Sequence, residues 1–173
     1  DYLEMMKRPR FGRGSGANAC IDCRIFMFSR ARGEMERTGA DFVASGEVLG
    51  ERPMSQHRKA MELIEQESGL GGLILRPLSA AVLTPSVPEE RGLVERARLK
   101  GISGRRRLPQ LELAKEFGMT DFLCPAGGCL LNDPEFAARF LELLAHDPGF
   151  GLRDSNLLKI CRDLRLPSGV KAN

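Results

Sequence analysis

Four of the five cysteines stand in two short motifs whose spacing suits thiol or metal chemistry. Cys20 and Cys23 form a Cys-x-x-Cys pair, and Cys124 and Cys129 lie in the segment CPAGGCLL. An odd number of cysteines without an export signal argues against a disulfide framework. Metal binding or thiol chemistry is the better interpretation, whereas Cys161 is expected to be a small core residue.

The Cys-x-x-Cys pair falls at the start of a helix predicted from Cys20 to about Thr38. Residues three apart share one helix face. Backbone N–H groups at a helix start also stabilise thiolates. The pair therefore predicts nucleophilic or metal-binding sulfurs, with simple packing of two free cysteines as the alternative.

Two metal centres are compatible with these spacings. Four thiolates, from Cys20, Cys23, Cys124 and Cys129, would suit a structural zinc ion. Three of them would suit an iron-sulfur cluster with one open iron. Spacing alone does not choose between them.

The elements that must position the first pair alternate between helix and strand. After the first helix, 40–46 reads as a short strand, 55–68 as a helix and 71–78 as a second strand. This order predicts an α/β fold with a parallel sheet and covering helices. The first strand ends at Ser45 and Gly46, and open α/β sheets bind ligands at such ends.

The second half of the chain is expected to be mainly helical. A loop at 79–92 precedes it, and the frayed tail is predicted at 168–173. The helices are predicted at 93–99, at 107–118 with Pro109 in the first turn, after a cap at Asn132 or Asp133, and at 154–164.

Charge and hydropathy narrow the class of protein. The 173 residues carry a net charge of only +3, but basic residues concentrate in two places, 7–13 and 96–107. Such stretches can contact a phosphate backbone, or can simply be solvated surface. With no apolar run long enough to span a membrane and no signal peptide, we expect a cytoplasmic protein.

Four segments together resemble a branch of the PP-loop ATPases related to tRNA 2-thiouridine synthases. They are NACIDCRIFM, ADFVASGEVLGERPMSQHR, LILRPLSA and PAGGCLLND. The resemblance implies that Cys20, Cys23 and Cys129 form the sulfur site, as a [4Fe-4S] cluster or through a persulfide. It also implies that Ser45 and Gly46 line a nucleotide pocket in a partial Rossmann-like sheet.

The same resemblance sets the expected function, partners and domains. ATP and Mg would activate a tRNA uridine, and a sulfur donor protein or sulfide would supply sulfur. The family's SGG-x-DS phosphate loop does not occur here, so we expect an ATP-pyrophosphatase half upstream and an inactive isolated fragment. Residues 1–80 would then complete the nucleotide-binding domain, and 81–173 would form the helical region.

Three further expectations concern partners. Arg105, Arg106 and Arg107 are the predicted tRNA contacts, no membrane partner is expected, and a homodimer could cover exposed sheet edges. The alternatives are a zinc-stabilised RNA-binding module without enzymatic activity and a tRNA (thiouridylate) methyltransferase. No glycine-rich cofactor loop after a first strand supports the methyltransferase.

Overall fold

The computed structural model describes residues 2–121 and 128–160, together with the backbone of 164–165 and 171–172. The elements within these residues are α1 (Tyr2–Lys7), α2 (Cys20–Thr38), β1 (Val43–Ala44), α3 (Arg58–Ser68), β2 (Ile74–Leu75), α4 (Val87–Glu90), α5 (Leu108–Glu116), α6 (Pro134–His146), α7 (Leu152–Leu157), β3 (Leu164–Arg165) and β4 (Lys171–Ala172). No helix of this described part has the length and apolar character needed to cross a membrane.

The chain divides into two compact units. Unit 1 combines Asp1–Asp22 with Gly127–Asn173, and unit 2 is Cys23–Ala126. The division into 1–80 and 81–173 remains a prediction, because compactness does not show which segments belong to a nucleotide-binding domain.

Unit 2 contains a β-α-β arrangement. β1 and β2 pair in parallel, with Val43 opposite Ile74 and Ala44 opposite Leu75, and α3 lies between them in the chain. A mixed α/β, helix-rich fold is thereby confirmed.

Both strands are shorter than the predicted 40–46 and 71–78. Gly72 has a φ of +71°, which breaks the extended backbone just before β2. Pro77 follows β2 and has no N–H with which to continue a ladder.

Glycines end the two long helices of unit 2 where the sequence predicts. Gly39 follows α2 with a φ of +70°, and Gly69 follows α3 with a φ of +73°. α3, however, begins at Arg58 instead of the predicted Ser55. The preceding residues form a loop, in which the Arg52 N–H donates to the Gln56 side chain at 3.0 Å.

The segment predicted as a helix at 93–99 contains only the 3₁₀ turn Arg96–Arg98. The Arg96 side chain instead donates to the Leu83 carbonyl and to Glu89, which ties this segment back to α4. The next prediction is confirmed, since α5 carries Pro109 in its first turn.

Unit 1 is built around α6. The Asp133 carboxylate accepts the Phe136 N–H at 2.8 Å, which confirms the predicted cap, and Pro134 opens the helix. Phe140 stacks against Phe136 and meets the edge of Phe150. The buried core of this unit consists of Met6, Ala17, Ala19, Phe136, Ala137, Phe140, Leu143, Phe150 and Leu158.

The carboxyl-terminal elements differ from the predicted helix at 154–164 and frayed tail. α7 starts two residues earlier, because the Gly151 N–H donates to Asp154 at 2.8 Å and so fixes the helix start. The helix ends at Leu157, and β3 pairs antiparallel with β4, of which only β4 lies in the predicted tail at 168–173.

Candidate functional site

The Cys-x-x-Cys pair occupies the first turn of α2, as predicted. Cys20 is its first residue, and Cys20 and Cys23 are both half-buried cysteines that form no disulfide. The Asn18 side-chain amide donates to the Cys20 sulfur at 3.2 Å, and its oxygen accepts the Gly16 N–H at 3.1 Å. The buried Asn18 therefore joins the Gly-rich approach to the first thiol.

Asp22 anchors the segment that leads into this helix. Its two carboxylate oxygens accept the backbone N–H groups of Arg10 and Phe11, at 2.7 and 3.0 Å. Negative charge in the first turn also suits the helix dipole. Asp22, one of the two residues between the cysteines, thus fixes the chain that precedes them.

Cys129 lies at the surface, just before the 3₁₀ turn Leu130–Asn132. Two residues later, the Leu131 carbonyl accepts the N–H of Ala17 at 2.9 Å. A Cβ at Gly16 would come within 2.6 Å of the same oxygen. Unit 1 therefore joins the backbone just before Cys20 to the backbone just after Cys129.

The described residues, 2–121 and 128–160, contain no group of three or more His, Cys, Asp or Glu side chains that could hold a metal ion. The three thiols, Cys20, Cys23 and Cys129, have the chemistry that a cluster requires. Cys124 and Cys161 lie outside the described residues.

Ser45 and Gly46 follow β1 directly, at its carboxyl end. The Ser45 N–H donates to the Leu75 carbonyl at 2.8 Å, and its hydroxyl accepts the Glu47 N–H at 3.3 Å. Gly46 is exposed, with no atom within 4 Å of the position of an added Cβ. This strand end is therefore open to a ligand.

A chain of ion pairs links α2 to α3 behind this strand end. Glu47, only 2% exposed, pairs with Arg24 at 3.3 Å and with Arg76 at 3.0 Å. Arg76 also pairs with Glu65, whose other oxygen accepts the Gly72 N–H at 3.0 Å. Two buried charges are thus compensated, and Arg24, the residue after Cys23, is fixed by them.

The sequence patterns gave no sign of the ion pairs that Arg24, Glu47, Glu65 and Arg76 form. Arg76 lies 29 positions from Glu47 and 11 from Glu65, so no local pattern predicts these pairs. The only available signal is the presence of charges next to apolar strands, where unpaired charges are costly.

Other polar residues near the strand ends serve the scaffold. The Ser79 hydroxyl accepts the Leu49 N–H at 2.9 Å and donates to the Ile102 carbonyl at 2.6 Å. His57 caps α3, since its Nδ1 accepts the Ala60 N–H at 3.3 Å. Acid-base work is therefore not indicated for His57.

The amino-terminal basic residues are partly structural. Arg13 donates to the carbonyls of Met6, Lys7 and Ala17. Burial lowers the pKa of the Arg13 guanidinium. The buried Lys7 ammonium lies over the Phe150 ring and pairs with Glu4. Lys7 and Arg13 thus hold unit 1 together.

The predicted RNA contacts divide into two kinds. Arg107 is paired with Glu51 at 3.2 Å, whereas Arg105 and Arg106 are exposed just before α5. No carboxylate of the described residues pairs with either exposed guanidinium, so both can meet phosphate.

Comparison of the chain with models of protein families, with curated proteins and with solved structures gave no match.

Proposed function

We propose that the chain is part of a tRNA uridine-thiolating enzyme in which Cys20, Cys23 and Cys129 handle the sulfur. The observation that carries the proposal is the hydrogen bond from the Ala17 N–H to the Leu131 carbonyl. It attaches the loop of Cys129 to the approach of Cys20, as a site with one distant cysteine requires.

The proposed nucleotide region is the carboxyl end of β1. Open parallel sheets bind ligands at such ends, and the exposed Gly46 leaves room for one. In this proposal the β-α-β arrangement belongs to a Rossmann-like sheet, and ATP and Mg would bind at this strand end.

The reaction proceeds by activation of a uracil carbonyl. The uracil carbonyl oxygen attacks the α-phosphorus of ATP and pyrophosphate departs, so that AMP becomes the leaving group of the next step. The terminal sulfur of a cysteine persulfide attacks the activated carbon, and AMP departs. A second cysteine then attacks the first cysteine's sulfur, which leaves the new sulfur on uridine and forms a Cys–Cys disulfide. A cellular thiol reduces this disulfide.

The cluster version remains a prediction that analysis of bound elements tests. The protein would be purified without oxygen, and iron, sulfide and zinc would be measured, together with persulfide by mass spectrometry. The variants are C20A, C129A and, as the matched control, C124A.

Persulfide on Cys20, Cys23 or Cys129 supports the sulfur-transfer proposal. About four irons and four sulfides, lost in C20A and C129A but retained in C124A, also support it. One zinc that is lost in every variant, without iron or persulfide, would contradict it and favour the RNA-binding module.

A further inference from the structure

The basic residues of the amino-terminal stretch 7–13 are of two kinds. Lys7 is buried, and Arg13 donates to three backbone carbonyls of unit 1. Arg8 and Arg10, by contrast, are exposed. The interior of unit 1 therefore uses two of the four charges, and the other two are at its surface.

The exposed arginines lie on a short arm, residues 8–11, that is attached to the start of α2. The buried Asp22 carboxylate accepts the N–H groups of Arg10 and Phe11, at 2.7 and 3.0 Å. The proline of the arm fixes one more backbone angle. Asp22 follows Cys20 by two positions in the first turn of α2, so the arm lies beside the turn that carries this thiol.

Arg10 and Phe11 together offer a surface for stacking. The guanidinium carbon of Arg10 lies 4.9 Å from the centre of the Phe11 ring. Unpaired bases stack on aromatic rings and on guanidinium planes, because every base has a π-face. A duplex keeps its bases stacked on one another, so this surface fits a single strand better than a double helix.

The charges of the arm favour an anionic partner. Glu4, the exposed acid of α1, pairs with Lys7 at 2.8 Å, and Asp22 is buried with its oxygens on N–H groups of the arm. Among the described residues, no carboxylate forms an ion pair with Arg8. Arg8 can thus contact a phosphate. A free phosphate would use only this charge, whereas a nucleic acid would also use the stacking surface.

We propose that the arm binds single-stranded RNA beside Cys20. Arg8 contacts a phosphate, and an unpaired base stacks on Arg10 and Phe11. The choice of RNA rests on the proposed function, because a uridine that receives sulfur has to reach the thiol as an unpaired base. The arm belongs to unit 1, so it is a contact additional to the basic stretch before α5, which belongs to unit 2.

The test measures the binding of a fluorescent oligouridine, about ten nucleotides long, to the full chain by anisotropy. R10K keeps the positive charge but removes the guanidinium plane, so the affinity should fall about tenfold. The matched control is R37K, which makes the same chemical change at an exposed residue near the other end of α2. R37K should bind as the wild type does.

R8A tests the phosphate contact separately. The slope of the logarithm of the binding constant against the logarithm of salt concentration should fall in magnitude by about 0.7, the value for one phosphate of a single strand. An unchanged slope would overturn the assignment of Arg8 to a phosphate.

D22N separates the position of the arm from its charge. Loss of a negative charge beside the arm would by itself strengthen RNA binding. The amide nitrogen of asparagine, however, cannot accept an N–H, so one of the two bonds that hold the arm is lost. We expect binding about threefold weaker. Stronger binding would overturn the role of Asp22 as a positioning residue.

Circular dichroism would establish that each variant is folded, and R10K, at an exposed position, decides the matter if D22N is not. Oligouridine binding that R10K weakens and R37K leaves unchanged supports the proposal. No binding to the wild type, equal affinity of the wild type and R10K, or equal affinity for the oligouridine and for an RNA duplex of the same length would overturn it.

This titration contains no ATP and no sulfur donor, so its outcome is independent of the analysis of iron, zinc and persulfide. A chain that binds the oligouridine through the arm but carries neither cluster nor persulfide would retain the RNA site and lose the sulfur-transfer proposal. Persulfide on a chain that does not bind the oligouridine would have the opposite meaning.

Discussion

At the level of single residues, Glu47 is the side chain on which the interior of unit 2 depends most. It compensates Arg24 and Arg76 at once, and it is almost fully buried. Removal of one member of a buried ion pair leaves an uncompensated charge, which is more costly than the pair is favourable.

We predict that E47Q lowers the free energy of unfolding by about 3 kcal/mol, because the amide keeps the shape but not the charge. Urea denaturation, monitored by circular dichroism, measures this change in the free energy of unfolding. The control is E34Q, which removes an exposed partner of Arg37, and no measurable change is expected there. Equal effects of E47Q and E34Q would show that the buried ion pairs stabilise the protein no more than an exposed one does.

Gly16 lies where two backbones approach most closely in unit 1. An added Cβ would come within 2.6 Å of the Leu131 oxygen, a contact that only a backbone shift can relieve. We predict that G16A destabilises the protein by about 1–3 kcal/mol and weakens the bond between Ala17 and Leu131. Hydrogen exchange at the Ala17 amide should lose protection.

The matched control is G33A. Gly33 is inside α2, and no atom lies within 4 Å of its added Cβ. Alanine there should raise stability by about 0.5–1 kcal/mol through the lower entropy of the unfolded chain. If G16A were also stabilising, the backbones around Gly16 and Leu131 would not approach as closely as described.

At the level of elements, α4 is a short helix whose start depends on one carboxylate. The Ser86 N–H and hydroxyl both donate to Glu89, and Arg96 pairs with it. Burial raises the pKa of Glu89, but these hydrogen bonds and the ion pair outweigh it, so the pKa is lowered overall.

A lowered pKa fixes the direction of the pH dependence. The charged Glu89 contributes stability above its unfolded pKa, near 4.5, and that contribution is lost as pH falls through the lower folded pKa. We predict that E89Q is less stable by about 1 kcal/mol at pH 7 and loses less stability than the wild type between pH 7 and 3. Melting temperatures across this range measure it, and parallel curves would refute the prediction.

The ends of α2 and α3 and the start of α6 could be predicted because their causes are local. Gly39 and Gly69 adopt the left-handed conformation that ends a helix, and Asp133 caps α6 through a neighbour three residues away. The lengths of β1 and β2 were overestimated, because strand pairing joins residues far apart in sequence. The hairpin of β3 and β4 was also missed, although its paired residues, such as Arg165 and Lys171, are close in sequence.

The candidate site was predictable to a similar extent. The Cys-x-x-Cys at a helix start and the turn after β1 follow from short patterns, and both lie where the sequence indicates. The ion pairs of Arg76 and the bond between Ala17 and Leu131 join distant segments, so no local pattern could reveal them.

At the level of the whole molecule, the proposed tRNA partner should be held by Arg105 and Arg106. We predict that the double variant R105A/R106A binds tRNA more weakly at every sequence tested. The slope of the logarithm of the binding constant against the logarithm of salt concentration should fall in magnitude by about 1 for each phosphate that the variant no longer neutralises. Filter binding across salt concentrations measures both quantities.

R37A is the control for this experiment. Arg37 is also exposed, but it is on α2 and paired with Glu34. The R37A variant should bind tRNA as the wild type does. If all the variants bound alike, the stretch before α5 would be ordinary solvated surface, and tRNA contacts would have to be sought elsewhere.

The composition of unit 1 has a consequence for the order of events during translation. Its core joins Met6 to Phe140, so unit 2, at Cys23–Ala126, leaves the ribosome between the two parts of unit 1. Unit 2 can fold while the later part of unit 1 is still being made. The backbone before Cys20 has no acceptor at Leu131 until that residue has been synthesised. The thiol region is therefore among the last parts of the protein to be completed.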